Sequence, residues 1–165
     1  MHRQMHRRSF IAMAGAAPLL AACAGPSGAL YGRLIILRHA DRTFSMLNES
    51  GEERITHLPA ALADLPVDAV YCTPRPRNIA TATPIAEARG LPVQTMTSQG
   101  AGTKLLSAHP GQTVVWVGNQ ENLGILYAEL GIPAKPPVQF GQIQVVTFPR
   151  GGGVPLVEKR TYGAV

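Results

Sequence analysis

The stretch Arg33-Leu34-Ile35-Ile36-Leu37-Arg38-His39-Ala40-Asp41 decides the fold. Four consecutive apolar residues stand between two arginines. A strand with one wet face would alternate apolar and polar positions, whereas an unbroken apolar run of this length belongs to a strand covered on both faces. Such a strand needs a layer of helices above and below it. The chain has 165 residues, 45% hydrophobic and 15% charged, enough apolar material to supply that cover within one unit.

Downstream, the period of the apolar residues switches repeatedly. Residues 49–65 place Ile55, Leu58, Ala61, Leu62 and Leu65 at helical spacing, with Pro59 splitting or kinking the run. Residues 68–72, 91–96 and 113–117 read as strands. Residues 76–89, 103–109 and 121–130 read as helices, the first bent at Pro84 and closed by Gly90, the last closed by Gly131. Residues 142–148 and 154–162 flank Gly151-Gly152-Gly153 and form a hairpin. Strands alternating with helices predict an α/β fold, a three-layer α/β/α sandwich with a mostly parallel central sheet. The hairpin adds an antiparallel edge.

Upstream, the chain reads as an address. Arg7-Arg8-Ser9-Phe10-Ile11 precedes an apolar run over residues 12–22, the layout of an export signal. The run is shorter than the ~20 residues of a membrane span. The arginine pair resembles a twin-arginine signal, and Leu20-Ala21-Ala22-Cys23 resembles the lipobox of bacterial lipoproteins. The resemblance implies cleavage before Cys23 and acylation of its thiol. The chain then divides into a signal at 1–22, a Gly/Pro/Ser/Ala-rich tether at 23–31 and a domain at 32–165. It would sit on the periplasmic side of a bacterial membrane. Ala24, standing where Asp marks inner-membrane retention, points to the outer membrane. With Cys23 acylated, Cys72 has no disulfide partner. The net charge of +5 includes Arg3, Arg7 and Arg8; without them it is +2. No basic run carries interleaved aromatics, so nucleic acid is not an expected partner.

In sheets of this kind ligands lie beyond the carboxyl ends of the strands. Three polar clusters fall there: Arg38-His39, residues 73–77, and Gly118-Asn119-Gln120. A neutral imidazole is a nucleophile toward phosphorus, and a phosphohistidine intermediate divides hydrolysis into two easier steps. A neighbouring guanidinium disfavours protonation of His39 and binds phosphate oxygens in bidentate fashion. Arg77 supplies a second clamp. No Cys/His/Asp cluster has metal-ligand spacing, so neither metal nor cofactor is expected. Cys72 and Arg77 lack the spacing of a tyrosine-phosphatase loop, and Cys72 reads as a buried strand end. His57 and His109 read as surface or helix-end residues, and Trp116 as core.

The motifs agree with this chemistry. Residues 34–41 resemble the opening strand and Arg-His-Gly/Ala motif of the histidine phosphatase (phosphoglycerate mutase-like) superfamily. Leu47-Asn48-Glu49-Ser50-Gly51 is similar to its Leu-Thr-x-x-Gly stretch. Val70-Tyr71-Cys72-Thr73-Pro74-Arg75-Pro76-Arg77 is similar to Val-Tyr-Ser-Ser-Pro-x-x-Arg, and Thr81-Ala82-Thr83-Pro84-Ile85-Ala86 to the segment that follows. Arg160-Thr161-Tyr162-Gly163 resembles the close of small members. The resemblance runs from Gly32 to Gly163. It implies that His39 is the phosphorylated nucleophile and that Arg38 and Arg77 bind the phosphoryl oxygens of a phosphomonoester or phosphohistidine substrate.

One departure stands out. Where the family places a second pocket His, this chain has Asn119, and Gln120 stands where some members carry the acidic residue. Asn119 can donate a neutral hydrogen bond but brings no charge. Asp41, Glu49 and Glu121 are the remaining carboxylates for a general acid, although each reads as a surface group. The alternative to an enzyme is therefore an inactive relative that binds a phosphorylated or anionic ligand. The short chain, without long insertions, implies an open and shallow site.

The lipobox reading has a direct check. Metabolic labelling with palmitate in a bacterial host is expected to mark the protein, and Cys23→Ser to abolish both the label and membrane fractionation. Labelling that survives the substitution contradicts the assignment.

Overall fold

Leu34, Ile35, Ile36 and Leu37 are fully buried, as a strand covered on both faces must be. The computed structural model describes residues 29–163; the expected export signal, lipobox and Cys23 lie outside the described residues. In chain order the elements are β1 (Gly32–Arg38), β2 (Arg42–Thr43), β3 (Met46–Leu47), α1 (Glu49–Ile55), α2 (Leu58–Ala61), β4 (Ala69–Cys72) and α3 (Pro76–Glu87). They continue with β5 (Val93–Thr95), α4 (Ala101–Ala108), β6 (Thr113–Gly118), α5 (Gln120–Glu129), β7 (Gln142–Phe148) and β8 (Leu156–Thr161).

The main sheet has the order β5-β4-β6-β1-β7-β8. Strands β5, β4, β6 and β1 run parallel. Strand β7 is antiparallel to β1 and forms the expected hairpin with β8. Alternate residues of each strand feed two cores, one per face. Ile35, Leu37, Val70, Val115 and Val117 pack against Leu58 of α2, Leu62 just beyond it and Ile85 of α3. Leu34, Ile36, Val114 and Trp116 pack against Leu105, Leu106, Leu123 and Leu126 from α4 and α5. This is an α/β sandwich of three layers with a mostly parallel sheet and an antiparallel strand pair.

The helical run over 49–65 divides at Thr56 and His57, and Pro59 sits in the first turn of α2. Proline has no N–H to lose there, so it starts a helix instead of breaking one. The segment expected as a tether ends against the domain. Leu30 packs on the second core, and the Tyr31 carbonyl accepts a hydrogen bond from the Gly111 N–H at 3.0 Å. The β2–β3 hairpin leaves no mark in the sequence pattern, because strands of two residues carry no readable period. At its tip, exposed Phe44 adopts a left-handed backbone (φ 55°), and its carbonyl accepts a hydrogen bond from Arg42 at 2.8 Å.

Gly51 shows why the Leu-Asn-Glu-Ser-Gly stretch ends as it does. It is buried in the first turns of α1, and a Cβ there would lie 2.1 Å from the Asp41 carbonyl oxygen. The glycine lets α1 press against the backbone that leaves β1. Gly51→Ala is expected to destabilise the protein by about 1–3 kcal/mol, the usual cost of overpacking. Equilibrium urea unfolding checks this, and an unchanged midpoint contradicts the packing account.

Candidate active site

Strands β1, β6 and β4 lie side by side and run the same way, so their carboxyl ends line up. Arg38 pairs with Gly118 and Val117 with Cys72, which sets His39, Asn119 and Thr73 in a row. The His39 N–H donates to the Gly118 carbonyl at 3.0 Å. All three side chains are buried. Arg77 joins them from the first turn of α3, which starts directly beyond β4, and is also buried.

His39 is held as one tautomer. Its Nδ1 lies 2.8 Å from the Ala40 carbonyl oxygen. A carbonyl can only accept, so Nδ1 carries the hydrogen and Nε2 keeps its lone pair. The Ala40 peptide is fixed in turn, since its N–H donates to the Thr81 hydroxyl at 3.0 Å and that hydroxyl donates to the Arg77 carbonyl at 2.7 Å. Burial pushes the imidazole down to about 4. The Ala40 carbonyl opposes the shift, while the charges of Arg38, Arg77 and Arg42 add to it. His39 is thus a neutral base with a free Nε2 throughout the physiological range.

Arg77 donates from Nη2 to Asn119 Oδ1 at 2.9 Å. Asn119 Nδ2 donates to the Thr73 hydroxyl at 3.2 Å, and Asn78 donates to the same hydroxyl. The Asn119 N–H is capped by Asn122 Oδ1 at 2.9 Å, which leaves the Asn119 amide turned toward Arg77. Arg38 donates to the Val138 carbonyl at 2.7 Å and lies 4.4 Å from the centroid of the Phe140 ring, a cation–π distance. The same ring is 5.8 Å from the His39 ring. Both Arg38 and Arg77 carry a buried Nε–H with no hydrogen-bond partner among the described residues. Buried donors are normally paired, and two of them here sit on cations.

Of the candidate carboxylates, Glu121 lies nearest the site, lining one hollow with Thr73 and Asn119. Asp41 is bound to Arg54 at 2.6 Å. Glu121 stands 3.7 Å from Arg75 with both side chains exposed, and Glu49 is an exposed first-turn residue of α1. None of the three has a hydrogen bond to His39, Arg38 or Arg77 among the described residues. The Cys72 thiol is buried and pushed up to about 11, too high for a nucleophilic thiolate. His109 bonds Tyr71 and Gln112 away from the pocket. Among the described residues no group of three His, Cys, Asp or Glu could hold a metal ion.

Arg77, Asn119, Thr73 and Asn78 form one hydrogen-bonded cluster, to which His39 is linked through the Ala40 peptide and Thr81, with Arg38 acting on the imidazole by its charge. Sequence reasoning missed Phe140 and the part that Thr73 and Asn78 play behind Asn119. Thr73 fell within a polar cluster, but Phe140 lies in an irregular segment where no periodicity marks it. The chemistry available is that of a neutral nucleophile beside two fixed cations.

Residues 34–98 match the family model of the histidine phosphatase superfamily (branch 1); Arg38, His39 and Arg77 lie inside that segment and Asn119 beyond it. No curated protein matches the chain in sequence. Solved structures share its fold. The protein histidine phosphatase SixA, complexed with tungstate, superposes with a TM-score of 0.63 at 16% identity, over 78% of this chain and 96% of that one. YhfR of Bacillus stearothermophilus gives 0.64 at 16% identity, over 76% and 95%. A mycobacterial glucosyl-3-phosphoglycerate phosphatase in complex with inorganic phosphate gives 0.58 at 15% identity, over 77% and 95%. The chain therefore has the fold of the histidine phosphatases.

Phe140 offers a test of the electrostatics. Burial is the leading cause of the depressed His39 value, so Phe140→Ala, which admits water, is expected to raise it from about 4 toward the ordinary 6.5. Phe140→Leu, which keeps an apolar cover, is expected to move it less. NMR titration of the imidazole reads both, and an unmoved value in Phe140→Ala contradicts the assignment.

Proposed function

We propose that this chain is a histidine phosphatase superfamily member that hydrolyses phosphorylated substrates through a phosphohistidine at His39. The observation that carries the reading is the pair of buried, unpartnered Nε–H donors on Arg38 and Arg77 beside an imidazole whose lone pair sits on Nε2. A phosphoryl group offers several anionic oxygens to satisfy them. Nε2 attacks phosphorus, forming an N–P bond as the bond to the leaving group breaks. The leaving group departs with that electron pair. Water then adds to phosphorus, releasing a proton to solvent. The N–P bond breaks, and Nε2 recovers its lone pair.

The substrate class follows from the missing acid. With Asp41 held by Arg54 and exposed Glu121 turned to Arg75, no carboxylate among the described residues is hydrogen-bonded into the pocket to protonate a leaving alkoxide. Substrates whose leaving group departs readily, a phosphohistidine or an aryl phosphomonoester, fit best. Phosphorylated substrates also appear in the names of the structural neighbours, a protein histidine phosphatase and a glucosyl-3-phosphoglycerate phosphatase. Asn119 replaces the second pocket His of the family motif, so its amide steers Arg77 but adds no charge. By analogy with removing one oxyanion donor, the loss slows the reaction by about 10²–10³-fold. The same two features support the second reading, an inactive relative that binds a phosphorylated or anionic ligand. A lipid on Cys23 would hold the domain at the periplasmic side of a bacterial membrane, the outer one by the residue at Ala24.

The assay is turnover of p-nitrophenyl phosphate by the purified protein. The parent is expected to be slow and His39→Ala inactive, with Asn119→His faster by up to about 10²-fold. Because His39 is neutral above about 4, kcat/KM, once corrected for protonation of the substrate's phosphate, is expected to fall only as the pH drops through that value. An inactive parent that gains activity with Asn119→His supports the binding-only reading; an active His39→Ala rules out the phosphohistidine route.

A further inference from the structure

A second hollow, about 470 Å³ in volume, opens over the β7–β8 edge beside the pocket. One wall is the segment 135–139, which is tied down along its length. The Gln144 amide donates to the Lys135 carbonyl at 2.8 Å and accepts from the Tyr127 hydroxyl at 2.8 Å. Gln142 and Gln139 bond each other, and the Val138 carbonyl accepts from Arg38 at 2.7 Å. The wall is thus built in advance and anchored on a pocket residue. Preformed hollows of this size hold small-molecule groups.

The charges lining it have one sign. Lys135, Lys159 and Arg160 contribute to the lining, with no carboxylate among the lining residues. Arg160 is neutralised by Asp64 and Glu158. Neither lysine has an ion-pair partner among the described residues. Strands β7 and β8 lie one and two strand spacings from β1, about 5 and 10 Å. We propose that this hollow seats an anionic group, a carboxylate or a second phosphate, on the leaving-group part of the substrate, about 10 Å from the phosphorus that meets His39. The inference rests on the reading of Arg38, His39 and Arg77 as the phosphoryl pocket. It narrows the substrate class to molecules with two separated anionic groups.

Calorimetric titration of the purified full chain with two non-hydrolysable probes tests it. The probes are 4-(2-carboxyethyl)phenylphosphonate and its neutral carboxamide. The carboxylate is expected to bind about fivefold more tightly at low salt, as two exposed ion pairs allow, with the difference shrinking as salt is raised. Lys135→Ala combined with Lys159→Ala is expected to erase the difference and leave the carboxamide affinity unchanged. Equal binding of the two probes by the parent, or a preference that survives the double substitution, overturns the subsite alone. Failure of both probes to bind overturns the phosphoryl pocket, and the subsite with it.

Discussion

One main-chain hydrogen bond, from the His39 N–H to the Gly118 carbonyl at 3.0 Å, carries the β1–β6 ladder a residue past the strand ends. Everything in the pocket hangs from that continuation. It sets His39 beside Asn119, and the turn into α5 then aims the Asn119 amide at Arg77. Gly118 makes the turn possible, because a Cβ there would lie 2.6 Å from the Asn122 oxygen that caps the Asn119 N–H. The pocket is therefore built from backbone register first. Its side chains come from three strand ends and one helix start, elements that the buried sheet holds rigidly, and rigid elements place reacting groups more closely than loops do.

The electrostatics follow from burial. A histidine placed among three arginines in contact with solvent would lose little of its basicity, since water screens the charges. Here desolvation is the leading cause and the arginines add to it, so the imidazole stays neutral and its lone pair stays free. Burial also works against the guanidinium charges of Arg38 and Arg77. Glu121 offsets part of this, but no carboxylate among the described residues is hydrogen-bonded to either guanidinium, so an incoming anion relieves the site. Phe140 belongs to this balance, because one ring covers both Arg38 and His39.

Much of this was legible in the residues. The unbroken run Leu34 to Leu37 gave the buried central strand, and the alternation after it gave the layers. Arg38, His39, Arg77 and Asn119 were legible as a group because each stands at a strand end or just beyond one, where a parallel sheet gathers its polar groups. What escaped was written in three dimensions only. The β2–β3 hairpin is too short to show a period. Phe140 and Val138 reach Arg38 across a hundred residues of chain, with no spacing rule to announce it. The tie between Asp41 and Arg54, which removes a candidate acid, is likewise a contact between separate elements.

The central claim is that His39 Nε2 takes a phosphoryl group, and the most direct measurement is to trap it. The protein is mixed with a phosphoryl donor such as phosphoramidate and quenched in base, where phosphohistidine survives, and the peptides are read by mass spectrometry and ³¹P NMR. The account predicts one acid-labile phosphate, on Nε2 of His39, that is absent from His39→Ala. A phosphate on another residue, or none at His39 in a protein that turns over phosphorylated substrates, would contradict it.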